Sequence, residues 1–181
     1  MENMPLLFEN KVIKAHAEEL TNYIKQHLED FGELGDDYWK GRQIYMNQVR
    51  DPHIVQIMRN HKDHMLDEFT KLCGIDQPVY VDSLHFVRWT EGYELHPHAD
   101  AVDNDFPWRD FGTVTFLNED FEGGVLYYPN KDNLEVPAQA GYTAIHTGGT
   151  DCLHGVTKMT KGARYTIASF ITYDQRYEYK V

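Results

Sequence analysis

In the first part of the chain apolar residues recur every three or four positions. Ile13, Ala17, Leu20, Ile24, Leu28 and Phe31 are separated by Lys, Glu, Asn and Gln, the stripe of an amphipathic helix. Asn10 is placed to cap this helix and Gly32 to end it. A turn-rich break at Gly35, Asp36 and Asp37 and the segment from Tyr38 to Val49 separate it from a second helix. There Asp51 supplies a cap and Pro52 a first-turn proline. Ile54, Met58, Met65, Phe69 and Leu72 form its expected buried side, and Gly74 its end. His16, His27, His53, His61 and His64 lie among charged residues at helical spacing and read as solvated surface.

After Gly74 the period shortens. PVYVDSLHFVRW, TVTFL, VLYY, YTAIH and RYTIASFITY are short, β-branched and aromatic, with Gly, Asn, Asp or Pro between them, so they read as strands. Many short strands with polar turns predict a sandwich or jelly roll, with the helices as a supporting layer on one outer face. A parallel βαβ fold is disfavoured because no helical stripe separates the strands. The fold class expected is mainly β with α. Residues 1–181 form one domain, with 1–74 as mainly helical support and 75–181 as the jelly-roll core.

Composition narrows the partners. A formal net charge of -12 argues against binding phosphate backbones and favours a neutral or cationic partner. The N-terminus lacks the long apolar core of a signal peptide and no apolar run is long enough to span a bilayer, so a soluble, cytoplasmic protein is expected. Two cysteines, Cys73 and Cys152, exclude a disulfide scaffold, and both are expected to be reduced. Cys152 stands two residues before His154, yet reads as a small buried side chain, not a ligand.

The candidate chemistry lies in HPHAD, residues 96–100. An extended backbone sends His96, His98 and Asp100 to one face, so either histidine could share an ion with the carboxylate. His154 follows over fifty residues later, and Arg164 after it. Two imidazoles and a carboxylate can occupy one face of an octahedral Fe(II) and leave the opposite face open, so a redox enzyme leads.

WTEGYELHPHAD, TFLN at 115–118, EGGVLYY at 122–128, VPAQAG at 136–141 and LHGVTKMTKGARYTIASF at 153–170 carry a resemblance in their order. Residues from about Leu84 to Tyr173 resemble the catalytic domain of the 2-oxoglutarate and Fe(II)-dependent dioxygenases, in the prolyl 4-hydroxylase-like branch. The resemblance implies a double-stranded β-helix and a requirement for Fe(II), 2-oxoglutarate and O2, with ascorbate as an accessory. It makes His98, Asp100 and His154 the metal ligands and Arg164 the partner of the distal carboxylate of 2-oxoglutarate. A planar guanidinium can grip that carboxylate through two parallel hydrogen bonds. Thr166 and Ala168, on the same strand face, are small and leave room for the acid. Leu126 would pack against its aliphatic carbons, and Thr115 would face the pocket.

Two positions depart from the family pattern. Trp89 stands where many relatives carry a tyrosine that hydrogen-bonds the cosubstrate, and an indole N–H donates but cannot accept. His146 stands where relatives usually place phenylalanine, and is expected to be a hydrogen-bonded strand histidine; His85 is given no role. The segment from Ala101 to Gly112 could cover the metal. Phe106, Trp108 and Arg109 are its candidate substrate contacts, with Tyr127 and Tyr128 across the cavity. A retained Asp100 favours hydroxylation over halogenation. The implied reaction hydroxylates an unactivated C–H, converting 2-oxoglutarate to succinate, with a prolyl residue in a peptide or protein as the suggested substrate. A free amino acid, another protein side chain or a small metabolite are alternatives. So are a non-catalytic jelly-roll binding module and a zinc hydrolase of cupin shape.

Overall fold

Asn10 starts the first helix because its side-chain oxygen accepts the Ile13 N–H at 3.1 Å, satisfying one of the donors that a helix N-terminus leaves open. This computed structural model describes residues 4–30, 42–101 and 105–180. In chain order the elements are β1 (Leu6–Glu9), α1 (Lys11–Gln26), β2 (Gln43–Tyr45), α2 (Pro52–Cys73), β3 (Tyr80–Thr90), β4 (Leu95–His98), β5 (Phe111–Phe116), β6 (Leu126–Tyr128), β7 (Leu134–Val136), β8 (Tyr142–Thr147), β9 (His154–Val156) and β10 (Ala163–Thr172). Asp51 caps α2 on the His53 N–H, Pro52 opens it, and Gly74 closes it at a φ of 62°.

The strands form two antiparallel sheets. The larger runs β1-β8-β5-β10-β3-β2 and the smaller β4-β9-β6-β7. That is the expected jelly roll, and the helices cover one face of the larger sheet. Ile13, Leu20, Ile24, Met58, Met65 and Phe69 pack with Leu84, Phe86, Phe111, Ile167 and Ile171 in one core. Side chains on the other face alternate with these. Phe116 and Ala144 turn inward to meet Leu126, Tyr128 and Val136 of the smaller sheet. Among the described residues no helix is long and apolar enough to cross a membrane.

Several details differ from expectation. The N-terminal region supplies both edge strands of the larger sheet, β1 against β8 and β2 against β3, besides its helices. Helix α1 stops at Gln26, and Leu28 begins a short 3-10 turn, 39% exposed, instead of extending the stripe. Phe31, Gly32, Gly35, Asp36, Asp37 and Tyr38 lie outside the described residues. Leu72 is exposed, whereas Cys73, four residues after Phe69, packs partly buried against the core in its place. His61 is fully buried, where its Nδ1 accepts from the Asn10 side chain at 2.9 Å. Burial pushes its pKa down to about 3, so it is a neutral core residue. Both cysteines are free, and Cys152 is buried.

Candidate active site

Strands β4 and β9 are antiparallel neighbours in register at His98 and His154, which brings the two imidazoles side by side, with ring centroids 4.4 Å apart and planes inclined at 50°. Asp100 follows two residues after His98, where the chain leaves the strand. Its Oδ1 lies 3.7 Å from His98 Nε2 and 3.6 Å from His154 Nε2. One ligand atom from each of the three residues falls within 4.8 Å of the others. The side chain of His96 is exposed and outside this group. Its backbone carbonyl lies 3.1 Å from His98 Nδ1, and that of Cys152 lies 3.4 Å from His154 Nδ1. A carbonyl can only accept, so each ring carries its proton on Nδ1 and keeps the Nε2 lone pair for a metal. Cys152 thus contributes its carbonyl and not its thiol.

The protonation states suit a cation. Burial, reinforced by His146, pushes His154 down to about 3, leaving a neutral imidazole. Burial alone would raise the Asp100 carboxyl, but the imidazoles of His154, His146 and His98 outweigh it and bring the carboxyl to about 2. Neutral nitrogen donors and an ionised carboxylate form a donor set suited to Fe(II). The second carboxylate oxygen, Oδ2, lies 3.0 Å from His146 Nε2, and His146 Nδ1 lies 3.0 Å from the Tyr128 hydroxyl.

Arg164 is the largest fully buried side chain, 1% exposed, and its Nε and Nη2 have no hydrogen-bond partner. Burial lowers its pKa to about 9, against the raising effect of Tyr128. Room for it comes from Gly124, where a Cβ would stand 3.2 Å from Arg164 Cδ and 2.3 Å from Met159 Sδ. A buried cation without a counter-charge is costly, and a carboxylate placed against the two open nitrogens would relieve that cost. Arg164 and the His-Asp-His group line one cavity of about 710 Å³. The residues present therefore fit both an iron and a 2-oxoacid.

Trp89, Leu126 and Thr166 line the same cavity, Trp89 directly opposite Arg164 in the pairing of β3 with β10. Thr115 does not. Its hydroxyl meets that of Thr143 at 2.7 Å, on the face of β5 opposite to inward-facing Gly112 and Phe116, because strand side chains alternate. Trp108 and Arg109 are wall residues, both donating to Asp82 Oδ2, at 2.9 and 3.0 Å. The Trp108 indole stacks on Tyr177 at 3.9 Å, and the Arg109 guanidinium lies between the rings of Phe106 and Phe170. Tyr127 and Tyr128 are not among the lining residues. Tyr128 is fully buried behind His146, and the Tyr127 ring sits against Gly155. Residues 102–104 of the loop after Asp100 lie outside the described residues.

The sequence reading missed part of this wall. Tyr45 donates to Gln43 at 2.7 Å and Gln43 Nε2 lies 3.4 Å from His85 Nε2, a chain that lines the cavity from β2 and β3. Asp82 sits where β3 shifts register against β10, between the pairs Ser83–Phe170 and Val81–Ile171. Such a bulge lets neighbouring side chains share a face. No local pattern announces it, although Asp82 inside an apolar strand was a usable hint.

A family model described as the 2OG-Fe(II) oxygenase superfamily matches residues 84–172. Prolyl 3-hydroxylase 1 of Homo sapiens is 36% identical over 128 residues, taking in 57% of this chain and 17% of that protein. Its Gallus gallus counterpart is 27% identical over 154 residues, 71% of this chain and 21% of the relative. A multifunctional procollagen lysine hydroxylase and glycosyltransferase of Caenorhabditis elegans is 32% identical over 136 residues, 72% and 18%. The chain therefore spans about a fifth of the length of these curated relatives. Among solved structures, a viral collagen prolyl hydroxylase from Paramecium Bursaria Chlorella virus-1 superposes with a TM-score of 0.69 at 16% identity, covering 94% of this chain and 96% of that one. A Pseudomonas putida prolyl-4-hydroxylase gives 0.68 at 15% identity, covering 93% and 91%. At such identities the superpositions speak for the fold, while the family match covers the strands that carry His98, Asp100, His154 and Arg164. Residues 84–172 belong to the 2OG-Fe(II) oxygenase superfamily.

Proposed function

We propose that this protein is a 2-oxoglutarate- and Fe(II)-dependent dioxygenase that hydroxylates a prolyl residue of a peptide or protein substrate. The observation that carries the reading is Arg164, a buried guanidinium with two unpartnered nitrogens in the same cavity as the His-Asp-His group. A zinc hydrolase would need the three ligands but not the arginine, and a binding module neither. The prolyl preference rests on the prolyl hydroxylases among the relatives.

His98, Asp100 and His154 would hold the iron, and Arg164 the distal carboxylate of 2-oxoglutarate beside the small Thr166. With O2, the bound iron and 2-oxoglutarate supply the oxidising power to hydroxylate an unactivated carbon, leaving succinate and CO2. Leu126 presents an apolar surface to the methylene carbons of the cosubstrate. Trp89 restricts the space beside Arg164 and can only donate to an acid there. Trp108, Phe106 and Phe170 form an apolar wall that excludes water from the reacting carbon, while Asp82 neutralises Arg109.

The test incubates the protein with Fe(II), ascorbate, 2-oxoglutarate and a library of proline-containing peptides, reading succinate and a mass gain of one oxygen. Asp100→Ala and His154→Ala are expected to abolish both products, and His96→Ala to retain them. Absence of turnover together with absence of a ferrous 2-oxoglutarate chromophore would overturn the oxygenase reading. Consumption of 2-oxoglutarate stimulated by a free amino acid, and by no peptide, would move the substrate class and leave the chemistry in place.

A further inference from the structure

The metal reading leaves one part of the centre without a role, the pair of buried side chains behind Asp100. We propose that His146, steadied by Tyr128, positions Asp100 so that a single carboxylate oxygen is presented to the metal. The two oxygens of Asp100 are already divided: Oδ1 is the one near both histidine Nε2 atoms, and Oδ2 lies 3.0 Å from His146 Nε2. The Asp100 carboxylate can only accept, so the ring proton of His146 sits on Nε2 and is donated to Oδ2, which leaves Nδ1 to accept from the Tyr128 hydroxyl. The direction of every bond in the series Tyr128, His146, Asp100 is therefore set.

Burial gives the series its stiffness. Tyr128 is 0% exposed, His146 1% and Asp100 8%, so water cannot readily replace either hydrogen bond. The His146 ring also lies 3.9 Å, centroid to centroid, from that of His154, which limits how either can turn. A gap in the opposing strand makes the contact possible. Gly112 pairs directly with His146 in the register of β5 and β8, and a Cβ there would stand 1.9 Å from Asp100 Oδ2 and 2.5 Å from His146 Nε2. Glycine is required at 112 for space, not for backbone freedom.

A carboxylate free to rotate can bind a cation through both oxygens and occupy one more coordination position. A hydrogen bond that retains Oδ2 keeps that position open for the ligands the reaction needs. A phenylalanine here could fill the space but could not donate. His146 is thus a positioning residue acting through Asp100.

The proposal rests on the metal reading above, and the experiment separates the two. Metal-free protein is titrated with Co(II), reading its affinity and the visible absorption of the bound ion, with thermal unfolding as a check on folding. His146→Phe is expected to weaken Co(II) binding by about 10- to 100-fold and to shift the absorption band. His146→Gln, whose amide can still donate to Oδ2, is expected to recover most of both, and Tyr128→Phe to show a smaller change in the direction of His146→Phe. A purely structural role would lower the unfolding temperature and leave the band in place. Wild-type affinity and band in folded His146→Phe would overturn the proposal, as would equal losses in the Phe and Gln variants. If His146→Phe does not fold, an unchanged band and affinity in Tyr128→Phe overturns it instead. Failure of the wild-type protein itself to bind Co(II) would remove the metal reading, and the proposal with it.

Discussion

Strand β10 has two faces, and they are built on opposite principles. Toward the helices, Tyr165, Ile167 and Ile171 are buried among apolar neighbours, and Ile167 and Ile171 are fully enclosed. Toward the smaller sheet, Arg164, Thr166, Ala168 and Phe170 line a cavity, and the arginine is as buried as the isoleucines yet lacks partners for two nitrogens. The helix-facing side is complete in itself. The cavity side leaves two buried nitrogens of Arg164 unpartnered beside the His-Asp-His group, and the apolar side stabilises the fold that tolerates it.

That contrast breaks most sharply at Arg164. Arg164→Met should lower 2-oxoglutarate affinity by more than about 100-fold, since losing one member of a buried charged pair costs roughly 3 to 5 kcal/mol. The same change should leave or raise the unfolding temperature of the ligand-free protein, because it removes an uncompensated buried charge. An unchanged affinity in calorimetry would take Arg164 out of the site. Its neighbour on the other face should behave in reverse. Ile167→Ala should cost about 2 to 5 kcal/mol of unfolding free energy in urea titrations while leaving metal affinity intact below the transition. A loss of metal binding without loss of stability would show that the two faces are not independent.

A smaller effect per unit of pH comes from the buried histidines. His61, in the helix layer, and His85, on the cavity wall, are both pushed down to about 3 by burial. The unfolded chain protonates them near 6.5 while the folded chain stays neutral, so the unfolded state binds more protons between these values. Stability should therefore fall as pH drops from about 6.5 toward 3, by up to ~1.4 kcal/mol per unit for each residue, with no slope from them above 6.5. His61→Gln should remove part of the slope measured between pH 7 and 5, whereas a parallel curve would assign the slope to other groups.

The same contrast governs how much could be read from the chain. Faces that bury apolar area repeat with the period of their element, so both helices, their caps at Asn10 and Asp51, and the principal strands were legible. His61 continues the stripe from Ile54 and Met58 to Met65, yet its charged neighbours make it read as surface. Strands β1, β2, β7 and β9 are three or four residues long, too short to show alternation, and exist because a neighbour supplies their hydrogen bonds. Thr115 was assigned to the pocket although alternation along β5 sends it to the helix side. The sequence points Tyr128 across the cavity, whereas the fold turns its hydroxyl to His146, behind Asp100.

The sequence by itself determined the identity and order of His98, Asp100, His154 and Arg164, because the chemistry of metal and carboxylate binding admits few residue types and the family resemblance orders them. Only the tertiary structure decided which atoms meet: His98 opposite His154, Gly112 opposite His146, and Asp100 with one oxygen toward those two histidines and the other on the buried His146 imidazole. The reason is physical. Periodicity is set by neighbours along the chain, whereas strand register and the partners of a buried polar atom are set jointly by segments tens of residues apart.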